Sequence, residues 1–115
     1  MSDIYVDTVA RLSRVSGVRG AIIVEPETGV PVMAEVEVGV SPQALAALAA
    51  ALFRRTANAS AAAGFGPLRR FHLEAAGGHV LMAGAGDLVL VVLVDDERQL
   101  GMVRLEAQRA VESLQ

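Results

Sequence analysis

Apolar residues recur at helical spacing in three stretches of this chain and at strand spacing in five. The longest helical stretch runs from Ser41 to Gly64, SPQALAALAAALFRRTANASAAAG. Ser41 suits an N-cap, and Pro42 falls at the first helical position, where its missing N–H costs nothing. Gly64 suits the left-handed residue just past a helix end. Leu45, Leu48, Leu52 and Phe53 form one apolar stripe. The other faces, where an amphipathic surface helix would carry charge, are mostly alanine: Ala44, Ala47, Ala50, Ala51, Ala57, Ala61 and Ala62. Two readings stand: helix propensity alone, or small residues that let a second helix come close.

The remaining elements follow in order. Asp3 to Val15 reads as a helix with Ile4, Val6, Val9 and Leu12 on its apolar face and Arg11 and Arg14 near its C-terminal end. Gly17 and Gly20 bracket a short connection. Ala21 to Val24 is a strand with apolar residues on both faces, and Pro26-Glu27-Thr28-Gly29 is turn chemistry. Val30 to Val38 returns as a second strand, with Pro31 near its start and Glu35 and Glu37 on one face, the marks of an edge. Beyond the long helix, Phe65-Gly66-Pro67 is a break. Leu68 to Ala75 alternates, Phe71 and Leu73 facing one way and Arg70, His72 and Glu74 the other. Gly77-Gly78 predicts a hairpin turn, His79 to Ala83 the return strand, and Gly84 to Asp87 a second turn.

Leu88 to Val94, LVLVVLV, has no polar residue on either face. Such a strand must be covered above and below, which places it at the centre of a sheet with helices on both sides. Asp95 and Asp96 offer an N-cap, with Gln99 as a weak capping-box partner. Leu100, Val103, Leu105, Val111 and Leu114 form the apolar side of a last helix. Setting the first hairpin beside the last strand gives an α+β fold: a five-stranded antiparallel sheet in one domain over residues 1–115. Its edges are Val30 to Val38, blunted by glutamates, and Leu68 to Ala75, which has no proline and only a mixed polar face. An unprotected edge invites pairing with a copy of itself across a two-fold axis. The alanine-rich helix leads directly into that edge, so such a dimer would bring two long helices together.

Composition narrows the chemistry. The chain has 115 residues, 53% hydrophobic and 20% charged, as expected of a folded domain with a single core. A net charge of −3 gives no field that would draw nucleic acid or an anionic membrane. All 10 basic residues are arginine, so a P-loop lysine and a Schiff base are excluded. Cysteine is absent, which removes disulfides, thiolate metal sites and cysteine nucleophiles. The N-terminal stretch does not have the pattern of a signal peptide, and no apolar run is long enough to span a bilayer. A cytoplasmic protein is the expectation.

No motif predicts catalysis, a cofactor or a metal. Gly64-Phe65-Gly66 and Gly84-Ala85-Gly86 lie outside any strand-to-helix dinucleotide fingerprint. His72 and His79 flank the hairpin turn without sitting opposite each other, and read as surface or interface histidines. Asp95-Asp96-Glu97 reads as a helix cap. Asn58-Ala59-Ser60 matches a glycosylation acceptor but falls inside the helix. A ligand-sensing domain is a second reading, against which the strands offer few polar groups to orient a ligand.

In this order and spacing, Val18-Arg19-Gly20-Ala21-Ile22-Ile23-Val24, Ala44 to Arg54, Leu88 to Leu93 and Leu100-Gly101-Met102-Val103-Arg104-Leu105-Glu106 resemble the Roadblock family, also called the dynein light chain Roadblock type, and its bacterial members in particular. The resemblance implies a profilin-like α/β/α sandwich, with the long helix on one face and the N- and C-terminal helices on the other. It implies homodimers through the third strand and the long helix. It also implies a non-catalytic scaffold or regulator, commonly of Ras-like GTPases. On these grounds Ala47, Ala51, Arg70, Phe71, His72 and Leu73 are the expected dimer interface. Arg54 and Arg55, which interrupt the alanine face of the long helix, and Asn58 are the candidate partner-binding residues, with a Ras-like GTPase as the partner. Arginines that are simply solvated or salt-bridged across the dimer are the alternative reading.

Overall fold

In the computed structural model, which describes residues 3–115, the elements run α1 (Asp3–Ser13), β1 (Val18–Glu25), β2 (Val30–Val36), α2 (Pro42–Ala62), β3 (Arg70–Ala75), β4 (Gly78–Ala85) and β5 (Leu88–Val94), then a single 3-10 turn (Glu97–Gln99) and α3 (Leu100–Leu114). The strands form one sheet in the order β2-β1-β5-β4-β3, with every neighbouring pair antiparallel. β5 is central and β2 and β3 are the edges, as the hydrophobic pattern predicts.

The sheet separates two cores because strand side chains alternate between its faces. Leu90, Val92 and Val94 of β5 join Ala21, Ile23 and Leu81 against Val9 and Leu12 of α1 and Val103, Ala107 and Ala110 of α3. Val89 and Val91 join Ile22, Val24, Val80 and Met82 against α2. The result is an α/β/α sandwich with α2 alone on one face.

Several local expectations are corrected. The face of α2 that meets the sheet is Leu45, Ala46, Ala49 and Ala50, so it shares Leu45 with the leucine stripe but is centred on alanines. Long and β-branched sheet side chains fill that layer, so alanines suit a helix lying close to the sheet. Leu52 and Phe53 sit half-buried at its margins, and Leu48 is 45% exposed. On α1, Ile4 and Val6 are exposed, and on α3 so is Leu105. Gly20 lies inside β1, where an added Cβ would come within 2.8 Å of Val36 Cγ1; the glycine serves close strand packing rather than a loop. β2 stops at Val36, because Glu37 to Val40 form a turn through Gly39, whose φ is +97°. The β3–β4 hairpin turns on Ala76-Gly77, one residue earlier than predicted, since Ala75 pairs with Gly78.

Both edges are built differently. Along β2 the register slips between Ile23 and Val24 of its neighbour, so the strand bulges beside Pro31. β3 pairs with β4 without a slip from Arg70 to Ala75. Its outer edge therefore presents a regular row of backbone groups, with no strand partner among the described residues.

Candidate functional site

The outer face of α2 and the adjoining β3 edge form the surface on which the expected interface residues fall. Both ends of α2 are fixed. Ser41 Oγ accepts from the Ala44 N–H at 3.1 Å, satisfying one of the orphan donors of the first turn. At the other end the Phe65 N–H donates to the Ser60 carbonyl and the Gly64 N–H to the Ala61 carbonyl. That double closure through a left-handed Gly64, φ +85°, is a Schellman ending. Ser60 Oγ then donates to the Gly66 carbonyl at 2.9 Å, tying the helix end to the segment that enters β3.

Opposite the core face, Ala44, Ala47 and Leu48 are exposed, Ala51 is half-buried, and Arg54, Arg55 and Asn58 are exposed. At helical spacing, Ala44, Leu48, Ala51, Arg55 and Asn58 make one outward stripe. Its first half is apolar and small; its second half is polar and cationic. On β3, Phe71 and Leu73 pack half-buried on the α2 side of the sheet, while Arg70 and His72 lie on the α3 side. The expected dimer residues thus belong to two elements joined by one short segment.

On the α3 side, β3 and α3 enclose a groove of about 440 Å3. Two links cross it: Arg70 Nη1 donates to Gln108 Oε1 at 3.0 Å, and Arg104 Nη2 donates to His72 Nδ1 at 2.8 Å. Because a guanidinium only donates, His72 Nδ1 must be the acceptor. The hydrogen-bond network then puts the His72 proton on Nε2, which donates to His79 Nδ1 at 2.9 Å. His79 is 6% exposed, so it is a buried histidine, contrary to the surface or interface expectation. Burial, and then the Arg104 charge, pull the His72 pKa below its ordinary value; the neighbouring His79 adds to this and Glu74 opposes it.

The acidic run is structural. Asp96 Oδ1 accepts from the Arg98 N–H at 2.8 Å and so caps the 3-10 turn. Asp95 lies 3.5 Å from Arg19, whose Nε also holds Glu37 Oε1 at 2.6 Å. The Asp96 pKa is lowered by its hydrogen bonds from Arg98. Gln99 makes no side-chain cap. No group of three or more His, Cys, Asp or Glu among the described residues is arranged to hold a metal ion. No helix among them is long and apolar enough to cross a membrane.

Sequence reasoning missed the contribution of α3. Arg104 and Gln108 lie four residues apart and so face one way, but nothing in the pattern tied that face to β3. The His72–His79 contact was available from register, because diagonal neighbours on one strand face lie within reach of ring side chains.

The family model for the Roadblock/LC7 domain matches residues 4–94. The chain belongs to the Roadblock/LC7 domain family. Uncharacterized protein MJ1340 of Methanocaldococcus jannaschii is 30% identical over 103 residues, 90% of each chain. Among solved structures, Myxococcus xanthus MglB superposes with a TM-score of 0.85 at 22% identity, over 99% of this chain and 93% of that one. A structure described as MglB with tetrameric arrangement superposes at 0.81 with 24% identity, covering 99% and 89%. These likenesses agree on the fold: a Roadblock-type sandwich of one antiparallel sheet and three helices. The Roadblock/LC7 family is in general one of non-catalytic interaction modules, and this chain carries its domain.

Proposed function

We propose that this chain is a cytoplasmic, homodimeric Roadblock/LC7 module that binds a Ras-like GTPase and modulates its nucleotide cycle. The observation that carries the reading is the outward stripe of α2, where Leu48 is 45% exposed among Ala44, Ala47 and Ala51. An apolar residue flanked by alanines favours a second helix at close range. The regular outer edge of β3 lies next to it in the chain, so one two-fold axis would pair two β3 strands and juxtapose two α2 helices. Ala47, Ala51, Arg70, Phe71, His72 and Leu73 are the proposed contacts. Description of a related MglB as tetrameric supports self-association through this fold.

The polar half of the same stripe supplies the proposed partner surface. Arg54, Arg55 and Asn58 are exposed, and among the described residues neither arginine has a carboxylate in salt-bridge range. They are free to meet an acidic surface. A regulator must bind one nucleotide state better than the other, since only differential affinity shifts an equilibrium; a plain scaffold binds both equally. The test immobilises the chain and measures capture of Ras-like GTPases from its own organism, loaded with GDP or with a non-hydrolysable GTP analogue. State-dependent capture, weakened by Arg54→Ala or Arg55→Ala in a protein of unchanged mass, supports the proposal. Capture untouched by both substitutions rejects the assigned residues, and equal capture of both states rejects regulation.

A further inference from the structure

The α3–β3 groove has a charge pattern the interaction reading does not use. Its floor is apolar: Leu81 and Ala83 of β4 and Val111 of α3, with Leu90 and Val92 of β5, each only 1% exposed, as further lining. Its rim carries Arg69, Arg70 and Arg104, with Glu112 as the acidic lining residue. Arg19, Arg98 and Arg109 elsewhere are each in an ion pair. Among the described residues, none of the three rim arginines has a carboxylate within salt-bridge distance. In a chain whose net charge is −3, this is a cluster of three arginines against one lining glutamate.

Arg70 and Arg104 are also held in place. Arg70 and His72 are alternate residues of one strand, about 7 Å apart along it. Arg104 and Gln108 are one helical turn apart, about 6 Å. The spacings match, so the Arg70–Gln108 and Arg104–His72 links run side by side across the groove. Each guanidinium spends one donor on its link and keeps others free, in the fork geometry that suits a carboxylate. His72 is itself steadied by His79 at 2.9 Å.

We infer that this groove binds a small amphipathic carboxylate, its head group held by Arg70 and Arg104 and its hydrocarbon tail lying along Leu81, Ala83 and Val111. A volume of about 440 Å3 falls within the range of small-ligand sites. The arginines supply orientation and the floor supplies burial, so neither the head alone nor the tail alone should bind comparably. The inference stands on the single chain and does not require the GTPase reading.

The test is a titration of the isotope-labelled full chain with octanoate below its micelle concentration, followed by amide NMR shifts. Octanamide, which keeps the tail without the charge, and acetate, which keeps the charge without the tail, run in parallel. The expected result is saturable shifts centred on Arg70, His72, Arg104 and Val111, with octanoate at least about tenfold tighter than either control. Arg104→Gln retains a donor for His72 but removes the charge, and should weaken octanoate by at least about tenfold in a folded protein. Arg98→Gln, outside the groove, should leave it unchanged. Absence of saturable shifts, equal binding of octanamide, or shifts centred away from the groove would overturn the inference.

Discussion

His72 and His79 are two positions out of register across the β3–β4 pair, His72 opposite Leu81 and His79 opposite Glu74, yet their ring nitrogens meet at 2.9 Å. The contact couples a sheet edge to a buried ring, and Arg104 closes it from α3. It works only while His72 is neutral, since its Nδ1 must accept from a guanidinium.

A pH dependence follows from that neutrality. The His72 pKa is depressed below the ordinary 6.5 by burial and by Arg104, aided by His79 and opposed by Glu74. As pH falls below 6.5 the unfolded chain takes up this proton before the folded one does, so stability falls. The contribution is fully present above 6.5 and is lost down to the folded-state pKa. Glu25 and Asp96, whose pKa values are lowered from 4.5 and 3.8, contribute in a separate and more acid window. Urea midpoints measured from pH 8 to about pH 5 should drop on the acid side, and His72→Gln should flatten that drop. A profile unchanged by His72→Gln contradicts the assignment.

Two glycines should respond in opposite directions to alanine. Gly78 has φ +139°, and an added Cβ would lie 2.7 Å from the Val94 carbonyl oxygen. Gly78→Ala should destabilise by about 2 kcal/mol or more, because both backbone strain and a backbone clash oppose it. Gly101, in the first turn of α3, would meet nothing within 4 Å. Gly101→Ala should stabilise by about 0.5–1 kcal/mol. Chemical denaturation of the two variants checks the pair.

The alanines of α2 divide into two classes. Ala46 and Ala49 are fully buried against the sheet. Ala49→Leu should cost about 1–3 kcal/mol through overpacking, seen as a lower denaturation midpoint. Ser41→Ala, which removes the cap on the Ala44 N–H, should cost about 1 kcal/mol.

The division of alanines also shows how far the sequence could be read. Strand identities, sheet order and the placement of Leu88 to Val94 at the centre follow from hydrophobic period and length alone. The facing of α2 was read only in part, because alanine carries almost no amphipathic signal: Leu45, Leu52 and Phe53 do pack on the core, but Leu48 points outward and Ala46, Ala49 and Ala50 take its place. Leu48 and Leu105 look like core residues in a list of apolar positions and are exposed in the fold. The β3 edge was legible from its lack of proline and its mixed polar face. The groove was not, since it depends on where α3 crosses the sheet, and long-range packing of that kind leaves no local pattern.

The homodimer is the premise on which the partner surface rests, and it is tested most directly by solution mass. Light scattering at tens of micromolar should give twice the 12.0 kDa chain mass for the wild type. Ala47→Glu or Ala51→Glu should return the mass to that of one chain, with the helical circular dichroism retained for Ala47→Glu, whose position is exposed in the single chain. A wild type at the mass of one chain, or a dimer unaffected by both substitutions, would contradict the account.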